Sequence, residues 1–130
     1  MLVVRRNKMK RLLIVDDEKY LRLLYKTELE AEGYHVDTAA DAKEALSMFE
    51  REHYDLVILD IRMPGMDGIE ALGKFLGRDN KLPVIINSAY DSYKDNFMSW
   101  AADSYVVKSM DLAELKQKVK ESLGISMYEF

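Results

Sequence analysis

Five short runs recur along the chain: RLLIVD (11–16), YHVDTA (34–39), DLVILD (55–60), LPVIINSA (82–89) and SYVVK (104–108). Each reads as a strand, and each is followed by residues at helical spacing. Leu21, Leu24, Tyr25 and Leu29 mark the first helix, with Gly33 as its stop. Ala42, Ala45, Leu46 and Phe49 mark the second. Asp41 opens it with Glu44 three positions on, in the manner of a capping box. Ile69, Leu72 and Leu76 give a third, and Tyr93, Phe97 and Trp100 predict a short fourth. Asp111 introduces a fifth through Leu112, Leu115, Val119 and Leu123. Strands that alternate with helices pair in parallel, with helices on both faces of the sheet. Right-handed crossovers narrow the topology further. The expected fold is α/β, a doubly wound five-stranded parallel sheet in the order 2-1-3-4-5.

In such sheets ligands sit beyond the carboxyl ends of the strands, at the switch point. For this order the switch lies between strands 1 and 3, which end in Asp16–Asp17 and Asp60. Strands 4 and 5 end near Ser88 and Lys108. Two carboxylates ~4 Å apart repel by roughly 4 kcal/mol at an effective dielectric of about 20. Crowded acids therefore take up a proton or hold a hard cation. Mg²⁺ suits a few carboxylate oxygens together with water and phosphate. Ser88 and Lys108 do not help a cation bind. They suit an incoming phosphoryl group, whose oxygens need donors and positive charge. One carboxylate could then attack phosphorus and become an acyl phosphate.

Composition removes other classes. The net charge of −4 offers no basic patch, so direct nucleic-acid binding is not expected. The chain has no cysteine, which excludes disulfides and thiolate metal sites and fits a cytoplasmic protein. The apolar runs are too short to cross a membrane. The opening MLVVRRNK puts its charge after its apolar part, the reverse of a signal peptide. His35 and His53 lack spaced partners for a metal, and the eight methionines read as packing residues.

IVDDE, LVILDIRMPGMDG, VIINSAY and SYVVK, in this order and spacing, resemble the receiver domain of bacterial two-component response regulators. The resemblance implies a flavodoxin-like (βα)5 domain over 10–124, with an N-terminal extension at 1–9 and a tail at 125–130. It implies that Asp60 is phosphorylated by a sensor histidine kinase or a histidine phosphotransfer protein. Asp17 and Asp60 would bind Mg²⁺ directly, Asp16 largely through water, and the backbone carbonyl of Arg62 would be a further ligand. Ser88 and Lys108 would contact the phosphoryl group. Tyr105 matches an aromatic whose rotamer follows Ser88, although an aromatic on a strand also commonly packs in the core. Phosphorylation would change partner binding on the face of the fourth helix, fifth strand and fifth helix, about 91–123. The output would be an unknown protein or an effector domain missing from this chain. Arg62 and Tyr90 should border the water that attacks the acyl phosphate, and screen it.

The family usually has Pro after the lysine, often with a cis peptide. Ser109 stands here, and a non-proline cis bond costs ~3–4 kcal/mol, so trans is expected. A receiver fragment of a longer transcription regulator is the first alternative. A Mg-dependent phosphatase with an aspartyl nucleophile would need an acid two residues after Asp60, where Arg62 stands. A flavin carrier would need a hydroxyl- and amide-rich loop after strand 1, where DDEKY repels phosphate.

Overall fold

The computed structural model describes residues 9–61, 68–89, 102–109 and 111–125. The strands are β1 (Arg11–Val15), β2 (His35–Ala39), β3 (Leu56–Leu59), β4 (Val84–Ser88) and β5 (Ser104–Val107). The described helices are α1 (Lys19–Ala31), α2 (Ala42–Arg51), α3 (Gly68–Arg78) and α4 (Ala113–Ser122). Thus α4 is the fifth helix expected from the sequence. The short helix expected around Tyr93, Phe97 and Trp100 lies outside the described residues. All strand pairs are parallel, in the order β2-β1-β3-β4-β5. The expected fold is the observed one.

A parallel sheet covered on both faces needs strands that are apolar on both sides. β3 is buried at every position, and β1 at all but its first. Alternation divides these side chains between two clusters. Leu13, Val15, Val57, Leu59, Val84 and Ile86 face Ala45 and Leu46 of α2 and Leu72 and Phe75 of α3. Leu12, Ile14, Leu56, Ile58, Ile85 and Val106 face Tyr25 and Leu29 of α1 and Leu115 and Val119 of α4. Full burial of each such aliphatic side chain contributes about 1.5–3 kcal/mol.

The helix ends follow their local chemistry. The Asp41 carboxylate accepts the Glu44 N–H at 2.8 Å. The Glu44 carboxylate accepts the Ala40 N–H, also at 2.8 Å, so the return bond of the box lands one residue before the cap. Gly33 closes α1 at φ +100°, a region that glycine enters without a steric cost. At the base of the loop after β3, the Gly68 N–H donates to the Ile61 carbonyl at 3.1 Å. A Cβ on Gly68 would collide with the Ile61 backbone. Only glycine allows this closure, which pins the chain beside Asp60.

Candidate functional site

The backbone ladder runs one residue past the strands. Asp16 donates its N–H to Ala39 at 3.1 Å, and Asp60 donates to Val15 at 2.9 Å. Lys108 donates to Ser88 at 2.6 Å. These bonds carry the strand alternation forward, so Asp16 and Asp60 stand on the α1–α4 face at the carboxyl end of the sheet. Both are buried, 2% and 5% exposed.

The ammonium of Lys108 joins them. Its Nζ lies 2.8 Å from Asp16 Oδ2, 3.1 Å from Asp60 Oδ2 and 3.6 Å from Glu18 Oε1. Burial disfavours the lysine charge. The hydrogen bond to Asp16 and the charge of Asp60 outweigh it and raise the pKa well above the ordinary lysine value. The other Asp16 oxygen accepts the Glu18 N–H at 2.9 Å, and Arg22 donates to the Asp16 carbonyl at 2.8 Å. Asp16 is therefore held at three points. Asp17 and Glu18 are exposed beside it.

One carboxylate oxygen from each of Asp16, Asp17 and Glu18 lies within 4.8 Å of the others. A hard cation fits this donor set: all oxygen, mostly solvent-facing and strongly negative. The set differs from the expected one in that Glu18 joins it, while Asp60 is tied in through Lys108. The three-acid run DDE was the visible signal for Glu18. Arg62, whose carbonyl was expected to be a ligand, lies outside the described residues, as do Tyr90 and residues 91–101.

Ser88 is fully buried at the last position of β4, and alternation sets it on the α2–α3 face, opposite Asp16 and Asp60. Tyr105 pairs with Ile86 across β4 and β5 and is 5% exposed within the same cluster as Ile86. Ser88 and Tyr105 thus share one face, with the ring turned inward. The Lys108–Ser109 bond is trans, as are all the peptide bonds described. Ser109 Oγ accepts the Asp111 N–H at 3.1 Å, and the Asp111 carboxylate then accepts the first N–H of α4, from Ala113, at 2.9 Å.

Fold and site define a doubly wound α/β protein whose switch point couples buried carboxylates to one lysine from the edge strand. Comparison with known proteins is specific: the chain belongs to the response regulator receiver domain family, whose model matches residues 12–120. It is a receiver domain of two-component signal transduction, a phosphoacceptor switch. Response regulator TrrA of Thermotoga maritima, solved with Mg²⁺ and BeF, is 50% identical, with a TM-score of 0.84 over 88% of this chain and 99% of that one. TrrA in complex with histidine kinase ThkA matches at 50% identity and a TM-score of 0.82, with the same coverage. The probable transcriptional regulator ycf27 of Cyanophora paradoxa is 38% identical over 116 residues. That match takes in 88% of this chain but 48% of the relative, so the chain spans about half the length of such regulators. No described helix is long and apolar enough to cross a membrane.

Proposed function

We propose that Asp60 is the phosphoacceptor and that a histidine kinase or histidine phosphotransfer protein supplies the phosphoryl group. The observation that carries this reading is the buried Asp60 carboxylate, 3.1 Å from the ammonium of a lysine that is itself nearly buried. An Asp60 oxygen attacks phosphorus, and the bond from phosphorus to the donor imidazole nitrogen breaks. The electron pair stays on that nitrogen. The products are the Asp60 acyl phosphate and a neutral histidine. Slow loss of the phosphoryl group to water returns the carboxylate and inorganic phosphate.

Lys108 moves its hydrogen bond from the Asp60 oxygen to a phosphoryl oxygen, and the Ser88 hydroxyl, at the last position of β4 beside the end of β3, reaches around the strand end to donate to another. Tyr105 is the aromatic that follows Ser88. Asp17 and Asp60, with Asp16 largely through water and the Arg62 carbonyl, would hold Mg²⁺. When bound, the metal supplies positive charge for the phosphoryl oxygens in transit. A metal at this place relieves the repulsion of Asp16, Glu18 and Asp60, which share one lysine, and of Asp17 beside them. The similarity to TrrA with Mg²⁺ and BeF, and with a histidine kinase, supports both the metal and the partner.

We assign 1–9 to an extension, 10–124 to the receiver and 125–130 to a tail, and infer a cytoplasmic location. Output passes to an effector protein or domain through the face of the fourth helix, β5 and α4. Acetyl phosphate with Mg²⁺ should add one phosphoryl group to the chain and none to Asp60→Asn, read by intact mass. Labelling at another residue of the unaltered chain would overturn the assignment.

A further inference from the structure

Lys108 makes contacts far from its own strand. β5 is an edge strand, and β4 and β3 lie between it and β1. At ordinary strand spacing Asp60 is then roughly 10 Å away across the sheet, and Asp16 roughly 14 Å. A four-carbon stem reaches them only if it lies extended over the end of β4. The residue of β4 at that level and on that face is Asn87. The register pairs Ile58 with Ile85 and Asn87 with Val106, so Asp60 and Asn87 stand side by side in one row.

Asn87 is 3% exposed, a polar side chain on a face that is otherwise Ile85 and Val106. Its partner is the hydroxyl of Tyr25, from α1, itself 1% exposed. Burial raises the phenol's pKa, the hydrogen bond to Asn87 lowers it, and the charges of Lys108, Asp16 and Asp60 all reach the ring. A buried tyrosine and a buried amide thus meet under the path of the lysine.

Building on Asp60 as the phosphoacceptor, we propose that Tyr25 and Asn87 are positioning residues: their hydrogen-bonded pair is the surface on which Lys108 lies extended across β4 to reach Asp60. Asn87 gives the stem a polar floor beside the acid, and Tyr25 clamps the amide from the α1 side. When the lysine transfers to a phosphoryl oxygen, the pair restricts the ammonium to a short path above Asp60. Neither residue touches the reacting atoms.

The test separates positioning from packing. Tyr25→Phe alone leaves a buried amide without its partner and should lower the melting temperature. Replacing both partners by apolar groups of similar shape removes that penalty. The double variant Tyr25→Phe/Asn87→Leu should therefore melt within a few degrees of the unaltered protein. It should still be phosphorylated by acetyl phosphate at saturating Mg²⁺ about tenfold more slowly, the scale of loss a slightly misplaced group produces. In the protein without Mg²⁺ or phosphate donor, the two ε-methylene protons of Lys108 should give separate NMR shifts, assigned by their loss in Lys108→Arg. The separation should collapse in the double variant. Either readout at its original value in a stable double variant overturns the proposal. If the unaltered chain takes no phosphoryl group on Asp60, the assignment of Asp60 fails, and the lysine signal alone decides the positioning role. If the double variant does not fold, Tyr25→Phe is compared with Leu29→Ala, a destabilising change in the same cluster. Equal loss of rate in those two overturns the proposal, and loss confined to Tyr25→Phe supports it.

Discussion

The two ends of the sheet carry similar charges and treat them differently. At the amino end, Arg11 lies 3.1 Å from Glu52 and 3.5 Å from Asp37, with its guanidinium carbon 5.7 Å from the centroid of the Tyr54 ring. The Tyr54 hydroxyl donates to Asp37 at 2.6 Å. At the carboxyl end Lys108 serves Asp16, Asp60 and Glu18. Each end has one permanent cation facing an excess of acid. The Arg11 side chain is 33% exposed and that of Lys108 10%. Water screens the excess at the amino end, where it costs little. At the carboxyl end two buried carboxylates depend on one ammonium, and the cost stays in the fold. Surplus charge marks a site of chemistry only where burial makes that surplus expensive.

The largest test of this contrast is Lys108→Ala. It strands two buried carboxylates and should cost about 3–5 kcal/mol of stability, measured by urea unfolding without divalent ions. Millimolar Mg²⁺ should then restore more stability to the variant than it adds to the unaltered protein, since binding to the folded state alone stabilises it. A variant as stable as the original without Mg²⁺ would erase the difference between the ends.

Tyr54→Phe comes next, at about 1.5–3 kcal/mol near neutral pH, the range for a hydrogen bond to a charged group. Its effect should depend on pH. Burial raises the Asp37 pKa, but the Tyr54 hydroxyl, His35 and Arg11 outweigh it and hold the carboxyl below its usual range. A depressed folded-state pKa gives stability that is present above the unfolded value of ~3.9 and is lost as pH falls through the folded value. The Tyr54 pKa is raised, by burial first and then by the hydrogen bond and charge of Asp37. That contribution is present below ~10 and is lost as pH rises through the folded value. The cost of Tyr54→Phe should hold steady from about pH 5 to 9 and shrink at both extremes. Urea midpoints against pH measure it, and a cost that grew in acid would contradict the pairing.

Arg11→Gln should have the smallest effect, within about 1 kcal/mol and weaker in high salt. A loss as large as that of Lys108→Ala would place the two ends on one footing.

Much of this was legible in the sequence because it depends on spacing. The alternation of runs set the strand order, and the strand ends named Asp16, Asp60 and Lys108 as neighbours. Pairing was less legible, because it depends on how far a side chain reaches. The sequence reading put Lys108 next to an incoming phosphoryl group. In the fold it is bonded to Asp60 and Asp16, two and three strands away. Glu18 was visible as a third acid, but its carboxylate turns toward the cluster only through the start of α1. Asn87 carried a signal that went unused: it is a polar residue inside the run VIINS. Tyr25 gave none, because a tyrosine at helical spacing reads as core and only the fold sets it against an amide.

The lysine that crosses the sheet also works as a gauge of the sheet's shape. Neighbouring strands rotate by about 20–25° against one another, so β5 and β1, three steps apart, differ by roughly 60–75°. A small change in that rotation alters the span from the Lys108 backbone to Asp16 far more than any spacing between adjacent strands. Any group that draws the ammonium toward Asp60 therefore favours one twist of the whole sheet over another. Chemistry at a single oxygen would thereby be read out as curvature, with the edge strand as its pointer.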